Sequence, residues 1–269
     1  MDRLNFFTIL LIIFFLFMCG SIMGWVLELF YRRFFSDKNP EKRWINPGFL
    51  VGPCLPLYGF GLIALFVMSL IPAFYYDELT VSRVLIIIVI MGLVMTIIEY
   101  ISGIIFIKGL HVKLWDYSTR KFNIQGIICP TFSFIWTLLG AVYYFFIQPR
   151  ILKMVIWFTD NIAFSFFVGI FAGIFIIDII YSFNLVTTIK KYASEHNIVV
   201  KYDELKNHIR NKAQEEKEIV HFLFAFKTEK SFLIHLKSYI DMQIDFIEKD
   251  IEYHRDILEE NIKNKRNKR

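Results

Sequence analysis

The stretch GWVLELFYRR, positions 24 to 33, places a carboxylate, Glu28, and a guanidinium, Arg32, near the end of a run that otherwise reads as hydrocarbon. An ionisable group in that setting costs several kcal/mol unless it meets a partner or water. Arg32 lies four residues on, the favourable order for a helical ion pair, and long side chains near a helix end also reach out to water. A half-solvated pair therefore accounts for Glu28 as well as an inward-facing site does. Glu99 has no such local answer. It stands in LIIIVIMGLVMTIIEYISGIIFIKG, about eight residues before the run ends, with no basic residue one turn away on either side. A carboxylate there is either neutral or matched from another helix, and the candidate partners are Arg32, Arg33 and the Tyr58 hydroxyl. The expectation is that Glu28 and Glu99 turn toward one polar cavity on the cytoplasmic side. Such groups mark a substrate path, a proton site, or a pair that only holds the fold.

The elements that must position these residues are membrane helices. The chain is 56% hydrophobic, carries 30 phenylalanines and has a mean hydropathy of +0.49, too apolar for a soluble domain of its length. Five runs, at about 6–31, 49–74, 84–107, 126–147 and 154–183, are long enough to cross a hydrocarbon core that needs roughly 20 helical residues. Their polarity does not alternate, which excludes a membrane barrel and leaves helices as the way to satisfy the backbone. The first run resembles a secretory signal, but it is longer than a signal core and RRFFSDK follows where a small-residue cleavage site belongs. Cys19, Cys54 and Cys129 have neither metal-site nor redox spacing, so packing is their expected role.

Basic residues gather after the first run (Arg32, Arg33, Lys38, Lys42, Arg43), after the third (Lys108, Lys113, Arg120, Lys121) and in the tail. By the positive-inside rule the N-terminus lies outside and the C-terminus in the cytoplasm, in a multi-pass protein of the cell membrane. The expected class is an all-α membrane helix bundle over residues 1–189, followed by a cytoplasmic helical extension over 190–269. Runs one and two, and runs three and four, read as two copies of one hairpin. Glu28 or Glu99 is followed by Trp44 or Trp115, Asn46 or Asn123, Gly48 or Gly126, and Pro53 or Pro130. Both copies share one orientation, so this is a parallel repeat. In the tail, Leu233, Leu236, Ile240, Ile244, Ile247, Ile251, Leu258 and Ile262 recur at steps of three and four, the seam of a coiled coil or of a helix docked on its own domain.

Two connections interrupt the apolar pattern. NPGFLVGPCLPLYGFG, positions 46 to 61, holds Pro47, Pro53 and Pro56 among four glycines and cannot start a regular helix. Broken backbone at membrane depth is tolerated where it lines water or is buried in protein, so this is either a ligand site or a packing kink. LWDYSTRKFNIQG, positions 114 to 126, sets Trp115 and Tyr117 where an interfacial aromatic belt belongs, with Asp116 available to cap a helix or pair with Arg120. Asp178 is a further candidate for the cavity, Asp160 suits the outer surface, and GIFAG at 169 to 173 has the small-residue spacing of helix contacts. There is no nucleophile elbow, no HExxH and no histidine facing the glutamates, so an enzyme is not expected; nor is a metal, a cofactor or a nucleic-acid partner.

Trp25 with Glu28, NPGFLVGPCLPLYGFG, Glu99, and WDYS followed by FNIQG together resemble the bacterial putative ABC-transporter permease family called type IV, over about positions 18 to 148. The resemblance implies a multi-spanning membrane protein to which transport is attached by prediction, with Glu28, Gly52, Pro53, Pro56, Tyr58, Gly59, Glu99, Trp115, Asp116, Tyr117, Asn123 and Gly126 as motif positions. No Walker A sequence is present, so an ATPase would be a separate chain, and the short coupling-helix signature of permeases is missing too. The favoured reading is a permease-like transport component whose substrate is bound by Glu28, Arg32, Tyr58, Glu99, Trp115, Asp116, Tyr117 and Asn123. The alternative is a scaffold or sensor that recruits partners, or a second copy of itself, through the tail; a lipid-modifying enzyme is a distant third.

Overall fold

The computed structural model describes residues 5–36, 39–75, 80–196, 198–215 and 229–266. Lys38 and the last three residues of the basic C-terminal run lie outside them. The chain is an all-α membrane helix bundle, and among the described residues a two-stranded parallel pairing lies at its tail end. Helix α1 spans Phe6–Phe34, α2 Pro56–Tyr75, α3 Val81–Ile104 with a π turn at Ile105–Gly109, and α4 Pro130–Val142. Helices α1 and α2 form one hairpin, α3 and α4 a second, and α2 packs on α3. The ends of α1 and α3 both meet the tail, so the two hairpins run the same way, as the repeated residues predict.

Among the described residues, four helices are long and apolar enough to cross a membrane: Phe6–Phe34, Val81–Gly109, Pro130–Asp160 and Ile162–Glu195. The second expected run is shorter as a helix. Pro47, Pro53 and Pro56 keep residues 49–55 irregular, and the helix there, α2, begins at Pro56 and runs to Tyr75. Pro130 sits in the first turn of α4, where its missing N–H costs nothing.

The fourth and fifth runs need correction. Residues 154–160, expected to open the last span, instead end a helix continuous with α4. A π turn at Tyr143–Ile147 leads into α5, Gln148–Asp160. Pro149 lies in the first turn of α5, and the extra residue in the preceding turn changes the helical phase ahead of the proline ring, so the chain continues instead of breaking. Ile151, Val155 and Phe158 then face the core, where the Phe15 and Phe158 rings stack 4.6 Å apart. The last span is α6, Ser165–Glu195, preceded by a single turn at Ile162–Phe164. It passes through position 190 unbroken, so bundle and tail share one helix.

The tail folds on the end of α6. Strand β1, Val112–Lys113, pairs in parallel with β2, Val200–Lys201. Helix α7, Tyr202–Glu215, and α8, Glu229–Arg266, close over it. Val112, Val186, Ile189, Val200, Leu205, Ile209, Phe232, Leu236 and Tyr239 make a second apolar core. The predicted seam of α8 is thus used within the chain up to Ile240 and partly at Ile244, while Ile247 and Ile251 are exposed. The side chains of Leu258 and Ile262 lie outside the described residues.

The α1–α2 approach depends on Gly24. A Cβ there would meet the Tyr58 Cβ and ring at 2.2 Å. Alanine ordinarily stabilises a helix over glycine by about 1 kcal/mol. Overpacking at about 1–3 kcal/mol outweighs that gain, so Gly24→Ala lowers the thermal unfolding midpoint in detergent.

Candidate functional site

Glu28 and Arg32 occupy successive turns of α1, and their contact is 3.0 Å. The returning helix adds a second donor: the Tyr58 hydroxyl reaches the other Glu28 oxygen at 3.2 Å. Arg32 also extends to Asp203 of α7 at 2.7 Å. The three side chains are between 19% and 23% exposed, so the cluster is neither a solvated surface pair nor a dehydrated one.

Glu99 is 3% exposed and accepts from two aromatic donors. Trp136 Nε1, on the returning helix of the same hairpin, lies 2.9 Å from one oxygen, and the Tyr117 hydroxyl lies 3.1 Å from the other. Tyr117 therefore turns inward, stacked on Phe132 at 4.3 Å, where its position predicts an interfacial ring. The partners proposed for Glu99 from sequence, Arg32 and Tyr58, serve Glu28 instead, while Arg33 lies over the Trp44 ring at 4.1 Å. The two hairpins are equivalent even here, since Tyr58 and Trp136 each donate from a returning helix to the glutamate of its own hairpin. These two rings pack on one another, centroids 5.6 Å apart. A continuous line of contacts thus runs from Asp203 through Arg32, Glu28, Tyr58 and Trp136 to Glu99 and Tyr117.

Asn46 and Asp178 are among the side chains that hold the broken stretch before α2. Asn46, buried, donates to the carbonyls of Leu50 and Val51 and accepts from Trp25 Nε1 and the Gly48 N–H. Asp178 of α6 accepts from the amides of Val51 and Gly52 at 2.9 and 3.0 Å, and a Cβ on Gly52 would meet that carboxylate at 2.8 Å. Apart from the Trp25 contact, these bonds answer main-chain groups that irregular backbone leaves open. Asn46 followed by glycine two residues on is an Asx-turn signal legible in the sequence. The Asp178 contact, across 126 and 127 positions, is not.

The second loop is organised around Asp116. Neither capping a helix nor pairing with Arg120, it contacts Lys113 at 2.7 Å and Lys201 at 3.3 Å, and accepts from the Ser118 N–H. Burial works against its carboxylate, but Lys113 and the Ser118 contacts outweigh that and hold it well below the usual carboxylate range. Trp115 Nε1 donates to the Ile127 carbonyl, and Asn123 stays local, bonding Ser118, Arg120 and Gly126. Gly126 adopts φ +65°, the left-handed region that favours glycine, and a Cβ there would displace the Lys113 ammonium. Trp115 and Asp116 line a cleft of about 250 Å³ shared with Lys113, Lys201, Asp203 and Glu204. Glu28, Arg32, Tyr58, Glu99 and Tyr117 fall in one line of contacts; Trp115 and Asp116 belong to the neighbouring cleft, and Asn123 to neither. Among the described residues no group of three His, Cys, Asp or Glu side chains offers a metal site.

A family model described as putative ABC-transporter type IV matches residues 15–183, and the chain belongs to that family. No curated protein and no solved structure matches it. The match ends within α6, so α7 and α8, with Asp203, lie beyond it.

The two glutamates differ in what they lose when one donor is removed. Tyr58→Phe leaves Glu28 its Arg32 partner and costs about 0.5–1.5 kcal/mol; Trp136→Phe leaves an acceptor of the sealed Glu99 unmet and costs about 1–3 kcal/mol. Unfolding of the two variants side by side in one detergent gives this order.

Proposed function

We propose that the chain is the membrane-embedded permease component of a transport system, that Glu28 and Glu99 line a cytoplasm-facing cavity during its cycle, and that its substrate is a small cation or proton. Membership of the family supports the transport reading. The observation that carries the site is the contact between Tyr58 and Trp136, which joins the two carboxylates across the two hairpins. Arg32 is already shared by Glu28 and Asp203, which leaves little positive charge for an anionic head group and favours a cation. The ends of α1 and α3, with the tail, face the cytoplasm in this reading because Lys and Arg gather there. The permease performs no covalent chemistry itself, and a separate ATPase subunit drives it.

The scaffold reading has one observation behind it. Past Ile244, α8 carries Phe246, Ile247, Ile251 and Tyr253 exposed, the continuation of a face that is covered up to Ile240. A second copy of the chain, paired through a coiled coil, would cover them.

Native mass spectrometry after gentle extraction separates the two. A co-purifying nucleotide-binding subunit supports transport; a homo-oligomer that falls apart on removal of residues 245–262 supports the scaffold. In proteoliposomes holding the complete assembly, Glu99→Gln keeps the protein folded and abolishes cation flux. Undiminished flux in that variant removes Glu99 from the path.

A further inference from the structure

The connection between α1 and α2 meets the tail through main-chain oxygen. The carbonyls of Trp44, Asn46 and Gly48 are all met by side chains of one helix, α7. Helix α7 lays one face along them, with Asp203, Lys206 and Arg210 at helical spacing. Lys206 Nζ lies 2.6 Å from the Gly48 oxygen and 3.0 Å from that of Asn46, and 4.5 Å from the centre of the Tyr202 ring. Arg210 reaches the Trp44 oxygen at 3.3 Å, and Asp203 holds Arg32. Two carbonyls and an aromatic face are the groups that bind an ammonium ion.

Burial draws the Lys206 pKa down to about 7; Asp203 pushes it up, and Arg32 and Arg210 push it down. The ammonium is therefore held against a desolvation cost, which the carbonyls and the ring offset. Lysine and site come from different parts of the chain: the carbonyls belong to the segment matched by the family, Lys206 to the tail beyond it. Asp203, the outermost member of the line of contacts that leads through Arg32 to Glu28, stands one turn before Lys206 on α7.

We propose that the carbonyls of Asn46 and Gly48 form a binding site for a primary ammonium ion at the tail-side mouth of the bundle, and that the tail fills this site with Lys206 and so competes with a cation approaching Glu28. This rests on the cation-transport reading and adds to it the ligand class and a built-in competitor.

The test uses full-length protein in nanodiscs and hydrogen exchange of the α7 amides. Lys206→Ala empties the site, and Lys206→Met keeps the apolar stem while removing the charge. Both variants exchange roughly tenfold faster across α7, the loss expected for charged hydrogen bonds. Methylammonium chloride restores protection to Lys206→Ala saturably, whereas choline chloride at equal ionic strength, too bulky for two carbonyls at hydrogen-bond distance, does not. Wild-type protection in Lys206→Met, or equal responses to the two salts in Lys206→Ala, overturns the proposal. Neither result depends on flux, so the site can fail while Glu99→Gln still abolishes transport. Conversely, methylammonium can rescue α7 while cation flux is indifferent to Glu99.

Discussion

A carboxylate surrounded by hydrocarbon must be met by donors from another segment, and the bundle is arranged to meet that requirement twice. Each hairpin sends out a glutamate on one helix and an aromatic N–H or O–H on the next. For Tyr58 to reach Glu28 its ring must lie against α1, which is why position 24 has no side chain. For Trp136 to reach Glu99 the second hairpin closes in the same way, and its longer loop supplies Tyr117 as an additional donor. The aromatic donors do two jobs, since their rings also fill the space between the hairpins. A lysine or serine in their place could satisfy the carboxylate but would not bury comparable apolar surface.

The same contacts tie the tail to the bundle. Arg32 bonds Glu28 on its own helix and Asp203 on α7, so the charge environment of Glu28 depends on whether the tail is docked. Further links act alongside it. Helix α6 runs unbroken from the bundle to Glu195, and the β1–β2 pairing fastens the loop after α3 to the start of α7. Movement of the tail would therefore be felt in both hairpins, at Arg32 in the first and at Asp116 through Lys201 in the second. Coupling through discrete ion pairs of this kind suits an element with two arrangements.

Much of this was legible in the residues. Apolar runs located the helices, the prolines of 47–56 located the irregular segment, and the repeated order of glutamate, tryptophan, asparagine, glycine and proline located two like-oriented hairpins. What eluded sequence reasoning has physical causes. The runs at about 126–147 and 154–183 hide a helix that continues to Asp160, because the π turn at Tyr143–Ile147 that carries the chain past Pro149 has no residue signature. Tyr117 reads as an interfacial ring because nothing local indicates that its hydroxyl points to a carboxylate 18 residues back. Asp203 and Lys206 look like ordinary charges on an amphipathic helix, and their partners lie 171, 160 and 158 positions away. Periodicity reports which face of an element is apolar; it does not report which two faces meet.

The central claim is that the two intramembrane carboxylates act as one connected unit through Tyr58 and Trp136. A double-mutant cycle of Glu28→Gln and Glu99→Gln, read as unfolding free energy in a single detergent, tests it most directly. Connected sites give a coupling energy of at least about 0.5 kcal/mol, and this coupling vanishes when the cycle is repeated in a Tyr58→Leu background. Additive effects within about 0.3 kcal/mol, with Tyr58 intact, would contradict the account.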